Sequence, residues 1–398
     1  MREPDHRAVA VVFAVVGATF GGLSARIPWI QHNLELSTGE LGLALLFSPV
    51  GAFVAMPTAG RIAHRLGGRR TTRLLLVLSC AAPLPVVLAP SLPWLAAVFF
   101  LEGVITGMCD IGMNAQGVVV ERRLRRPIMS GLHGMWSVGC LAGAGIGALA
   151  AQAGVTAPAH LGLVAAAYMP VGVALTRALP ATWGSRGEAA PPRFAVPPRK
   201  VLLVGLVGFC AVFAEGAGNH WAAVYVTDVT AAGPGVAAAA YAVFAMAMAL
   251  ARLAGDGVVR RFGPVASVRA GAVLAAVGLV TVAVARTPVP AIGGFALLGT
   301  GIAVIVPLVV TAAGNAASTT GQGVAGAAGM TYLSYLLAPA VTGWLADLTS
   351  LPVAFGLIAC VTAALVPFAR LLRAAAGHGG PADGAHDSPG SSGMAKVA

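Results

Sequence analysis

Three carboxylates lie in stretches of this 398-residue chain that are otherwise apolar: Glu102 and Asp110 in LEGVITGMCDIGMNAQGVVV, and Glu215 in VGFCAVFAEGAGNHW. A charged group inside a hydrocarbon span costs about 2.5–3.5 kcal/mol or more unless it meets a partner or a water-filled cavity. Two kinds of chemistry repay such a position. The acid can pair with a base, or it can carry a proton, since a carboxyl out of bulk water can exchange protons at working pH. Glu215 is followed at i+4 by Asn219, with His220 and Trp221 beside it. We expect proton coupling at Glu215 and solute contacts at Asn219, His220 and Trp221.

Glu102 and Asp110 sit eight positions apart, about 80° around a helix at 100° per residue, with Thr106 between them. Both can therefore face one broad cavity. Asp110 has Asn114 at i+4, close enough to share a hydrogen bond, so Asp110 reads as structural. Glu102 reads as a second coupling acid, with Thr106 and Asn114 touching solute. Arg26, just ahead of Pro28, is the charge inside the first apolar run. It is a candidate clamp for an anionic group or a partner for Glu215 or Glu40. Trp29, Trp136, Trp221 and Tyr332 are candidates to line a pore, and His133 and Ser137 share a helix face. The chain shows no zinc spacing, phosphate-binding loop or nucleophile elbow. Its reading is therefore not an enzyme: it needs no cofactor, its energy source is a proton gradient, and nothing points to nucleic acid.

The elements that must hold these residues are membrane helices. The composition is 58% hydrophobic and 10% charged, against roughly 25% charged residues in soluble domains. Mean hydropathy is +0.84. A span needs about 20 largely apolar residues. About twelve can be marked, near 8–31, 39–60, 72–92, 94–119, 129–152, 158–179, 200–227, 233–255, 265–285, 289–312, 322–346 and 351–372. The first reads as an uncleaved span and not as a removed signal. The five cysteines show no CxxC spacing and read as small buried residues.

Charge sets the topology. Alternate connections hold Arg61, Arg65, Arg69, Arg70 and Arg73, the Arg122–Arg126 cluster, Arg177, then Arg260, Arg261 and Arg269, and finally Arg370 and Arg373. The other connections hold acids such as Glu35, Asp228 and Asp347, and almost no base. Lysine and arginine mark the cytoplasmic side, which places both termini in the cytoplasm. The net charge of +11 is thus topology and not a nucleic-acid footprint.

The reading divides the chain into a six-helix unit over 1–180, a cytoplasmic linker over 181–199, a second six-helix unit over 200–373 and a disordered tail over 374–398. The two units repeat. Gly67 and Gly263, Gly103 and Gly299, and Gly147 and Gly343 are each 196 residues apart. Duplicated helical units with a site at their interface are a secondary-transporter architecture.

With AGRIAHRLGGRR after the second span, this pattern resembles the major facilitator superfamily. The run supplies Gly60, Arg65, Gly67, Arg69 and Arg70 of that family's loop signature, but His64 stands where its aspartate would be. The resemblance implies that this loop latches the two halves as they rock. Asp256, at the end of the eighth span beside Arg260 and Arg261, is a candidate substitute charge. Gly21–Leu36, the run from Asp110 and AEGAGNHW from Ala214 are similar to the subgroup of fucose permeases and YbjJ-like inner-membrane proteins. That resemblance implies an all-α, twelve-helix monomer in the bacterial inner membrane, moving a small solute by alternating access. A sugar or small polar metabolite is the favoured cargo, and export of a drug or toxic product is the alternative.

Overall fold

The computed structural model describes residues 3–180 and 197–376. Most of the expected linker, and the tail beyond Ala376, lie outside the described residues. Every regular element among them is helical. The first half contains α1 (Glu3–Ser24, continued after a break by Ile27–Asn33), α2 (Thr38–Leu66) and α3 (Gly68–Val87). It continues with α4 (Leu92–Leu124), α5 (Met129–Gln152) and α6 (Ala157–Leu175). The second half begins with α7 (Arg199–Thr230) and a long run, Pro234–Val284, that breaks at Gly263 into α8 (234–262) and α9 (264–284). Then come α10 (Pro288–Ala316), α11 (Thr320–Leu348) and α12 (Leu351–Arg373). The expected spans are all present. Most boundaries differ by a few residues, but α2, α4 and α8 run one to two turns further, so Arg122 and Arg123 belong to the helix itself.

Local sequence explains where helices start. Helices α4, α6, α8, α10 and α12 all have proline in their first turn, where its missing N–H costs no bond. Helix α2 instead opens on a capping box, in which Ser37 and Glu40 satisfy each other's backbone N–H groups. The paired glycines have matching roles. Gly67 (φ 80°) and Gly263 (φ 77°) both adopt the left-handed conformation that turns α2 into α3 and α8 into α9. A Cβ at Gly103 would lie 1.8 Å from the Ser48 carbonyl oxygen, and one at Gly299 would lie 2.5 Å from that of Phe244. Ser48 and Phe244 are themselves 196 residues apart, so the same helix crossing is built twice.

The outer surface carries large apolar side chains, among them Leu149, Leu163 and Val289, each more than two-thirds exposed. A surface of that kind belongs in a bilayer. Trp94 and Trp344, near the ends of α4 and α11, are also exposed, as interfacial tryptophans are. The cysteines are free and less uniform than expected: Cys80 and Cys109 are buried, Cys140 and Cys210 half-buried, and Cys360 is exposed on α12.

Buried apolar packing joins the halves at one end of the bundle. There Met56, Val118 and Met129 of the first half share a core with Val310, Val324 and Ala328 of the second. This is the basic end, where Arg123 pairs with Asp5 at 3.3 Å and Arg69 bonds the Leu179 carbonyl. At the opposite end each half has its own core, around Leu23, Ile30 and Phe99 in one and around Tyr225, Phe295 and Phe355 in the other.

Candidate functional site

Glu215, midway along α7, does not face an arginine of α1. Both of its carboxylate oxygens accept from Nη2 of Arg252 on α8, at 3.2 Å. Arg252 is 4% exposed, and its Nη1 reaches across the halves to donate to Ser137 Oγ on α5 at 3.3 Å. Its Nε has no hydrogen-bond partner among the described residues. A buried guanidinium is tolerable here because a carboxylate and a hydroxyl answer it. Arg252 is the residue that sequence reasoning missed. Its signal was visible: a lone base in AVFAMAMALARLAG, inside an apolar run and not in a loop.

A second polar chain lies in the first half. Asn114 Nδ2 donates to the backbone oxygen of Asp110 at 2.9 Å and to its Oδ1 at 3.0 Å, the i+4 pair that the spacing predicts. Asn114 Oδ1 lies 3.1 Å from Nε2 of His133 on α5. That nitrogen therefore carries the proton when the amide is oriented this way. Ser137 Oγ donates to the His133 carbonyl at 3.2 Å. Polar contacts thus run from Asp110 on α4 through α5 to Arg252 and Glu215 on α8 and α7.

Glu102 is buried on α4 and accepts from Ser48 Oγ of α2 at 2.6 Å. Among the described residues it meets no cation. Thr106 is half-buried and bonds its own helix, at the Glu102 carbonyl. Arg26 sits at the break in α1 and is 2% exposed, with Nε on His160 Nδ1 at 3.2 Å and Nη2 on the Val155 carbonyl at 3.1 Å. It braces α1 against α6 at the end opposite the basic one, away from Glu215. Asn219 is half-buried and His220 is exposed, its ring 5.5 Å from that of Tyr335 on α11. Trp221 packs over Gly343, and its indole N–H has no hydrogen-bond partner among the described residues.

The residues expected to form the latch gather at the basic end. Both Asp256 oxygens accept backbone N–H groups at the start of α5, from Ser130 at 3.0 Å and Gly131 at 2.9 Å. A carboxylate on the first turn of a helix suits both the unsatisfied N–H groups and the dipole. Glu121 covers the two preceding N–H groups, those of Ile128 and Met129. Arg122 of α4 crosses to the second half, bonding the Gly314 carbonyl, Asn315 and Thr320. Arg65 and Arg261 are exposed there, Arg261 over the Phe262 ring. Gly60 and His64 fall on α2, and the His64 side chain lies outside the described ones.

The arrangement is two helical halves closed at one end, with an ion pair and half-exposed polar groups between them. Comparison decides the family. The Major Facilitator Superfamily profile matches residues 9–331. The chain belongs to the Major Facilitator Superfamily. It is 33% identical over 368 residues to an uncharacterised MFS-type transporter of Yersinia pestis, covering 90% of this chain and 94% of that one. It is 31% identical to an uncharacterised transporter of Sinorhizobium fredii, covering 91% and 97% of the two chains. Among solved structures it is similar to the transporter FucP in its outward conformation, with a TM-score of 0.73 at 17% identity and 92% and 98% coverage. It is also similar to the proton:xylose symporter XylE, with a TM-score of 0.72 at 12% identity and 92% and 96% coverage. The superfamily fold and a transporter's role in the membrane follow from these matches.

Proposed function

We propose that this transporter moves a small polar solute across the bacterial cytoplasmic membrane by alternating access, and that Glu215 couples the movement to protons. The observation that carries this reading is the Glu215–Arg252 pair, because Arg252 also holds Ser137 in the other half. Protonating Glu215 removes the charge that positions the guanidinium. The contact across the halves then loosens, and closure at the basic end becomes sensitive to proton occupancy. Arginine and lysine are concentrated in the connections at that end, which supports assigning it to the cytoplasm and the present state as outward-facing. Both termini are then cytoplasmic, and the two six-helix units divide in the 181–199 linker. Glu102, held by a neutral hydroxyl, is a second site at which a proton can reside.

In proteoliposomes with an imposed pH gradient, Glu215→Gln is expected to abolish gradient-driven accumulation of solute while counterflow exchange continues. Full accumulation by that variant would sink the coupling assignment.

A further inference from the structure

Arg26 ties three pieces of the first half together at the end opposite the basic one. It stands in the break of α1, where its backbone N–H bonds the Leu23 carbonyl at 2.8 Å and its carbonyl accepts from Ile30 at 3.1 Å, opening the segment Ile27–Asn33. Its Nη2 donates to the Val155 carbonyl at 3.1 Å, in the connection from α5 to α6. Its Nε meets Nδ1 of His160, in the first turn of α6, at 3.2 Å. Both side chains are buried. The segment that Arg26 opens carries Ile30, which is 1% exposed in a core with Leu95, Phe99 and Ala157.

This contact fixes the protonation state of the imidazole. A guanidinium donates and never accepts, so Nδ1 of His160 is the acceptor and carries no proton. The proton of the neutral ring is then on Nε2, which is buried and has no hydrogen-bond partner among the described residues. A second proton can go only to Nδ1. There it would point an N–H at the N–H of Arg26 and set two positive charges side by side, in the first turn of a helix whose dipole disfavours a cation. The ring itself is seated against two other helices: a Cβ at Gly147 would stand 3.3 Å from its Cε1, and one at Gly22 3.8 Å. Arg26 is therefore the group that must leave. The other ionisable groups do not offset this. Residues 81–87 of α3, 141–152 of α5 and 153–159 hold none, and His32, Glu35 and Glu40, which follow Arg26, are exposed. Cys80 and Cys140 lie beside Thr19 and Gly21, one to two turns further in along α1, and Tyr168 lies two turns further in along α6.

We infer that Arg26 and His160 form a proton-operated brace: the neutral imidazole holds the segment 27–33 on its core, and protonation of the ring releases Arg26 and loosens that segment. The brace is closed at alkaline pH and opens as the pH falls. It goes beyond the coupling reading, because it lies within the first half and uses neither Glu215 nor Arg252. With the basic end assigned to the cytoplasm, the brace senses the pH outside the cell.

The test is hydrogen exchange on the full-length purified protein between about pH 8 and about pH 5, the interval in which an imidazole changes charge. Exchange is expressed as protection relative to the intrinsic rate at each pH. In the parent, protection of the backbone amides in 27–34 is expected to fall by about tenfold or more on acidification, while that of 211–222 in α7 stays high. His160→Asn is expected to abolish the fall, because its side-chain oxygen can stand in for Nδ1 and accept from Arg26 but takes up no proton. Arg26→Gln should lower the protection of 27–34 at every pH. Protection of 27–34 that does not change with pH in the parent would overturn the inference, and so would an equal fall in His160→Asn. A loss spread equally over α7 would overturn it as well, as acid unfolding of the whole chain. The parent alone can fail this test, so a variant that does not fold leaves it decisive.

Discussion

Arg252→Met is expected to cost the protein about 3–5 kcal/mol of stability and all proton coupling, because it strands Glu215 in the bundle interior. The penalty for breaking a buried pair is the penalty of the charge left behind, so the double variant Arg252→Met/Glu215→Gln should recover most of the stability. It should not recover gradient-driven accumulation. Thermal unfolding of the two single variants and the double variant gives the interaction energy as a double-mutant cycle. Arg252→Lys makes a finer distinction. It keeps the charge, but a lysine presents one ammonium where the guanidinium presents a fork to both Glu215 and Ser137. Its stability should stay near that of the parent while transport falls. Equal stability of Arg252→Met and the parent would mean that the pair does not hold the charge in place.

Gly103→Ala carries the second large effect, and it acts on the fold. A methyl group there would sit 1.8 Å from the Ser48 carbonyl oxygen, an atom fixed in the backbone of α2. Overpacking a tight core costs typically 1–3 kcal/mol, and backbone cannot swing aside as a side chain can. The helices must separate, so the loss should reach the upper end of that range or beyond. Separation would also pull Ser48 Oγ from Glu102. Gly145→Ala on α5 is the matched control, since a Cβ there meets nothing within 4 Å. It should leave unfolding unchanged or slightly raise the melting point. Comparable behaviour of the two variants would remove the close α2–α4 crossing from the account.

Much of this architecture was legible in the chain. Apolar run length and loop charge gave twelve spans, because in lipid each span must satisfy its own backbone. The 196-residue offset pointed to a duplicated unit, and the structure gives it physical content: Gly67 and Gly263 take the same left-handed turn. The Asp110–Asn114 bond followed from helix geometry alone. Neighbours across helices did not. A helical wheel placed Glu102 and Asp110 on one broad face, but could not say that Ser48 of α2 would meet the first. Arg252 is hard to read from sequence because a base inside an apolar run carries no topology signal, unlike the bases of the loops.

The state of Glu215 is expected to control whether the basic end stays closed. Spin labels at Arg126 and Arg261, both exposed at that end, would report the distance between halves directly. A short, narrow distance distribution is expected in the parent protein, where the Glu215 carboxylate holds Arg252. A longer, broader distribution is expected in Glu215→Gln. A distribution that stays as short in Glu215→Gln as in the parent would overturn this assignment.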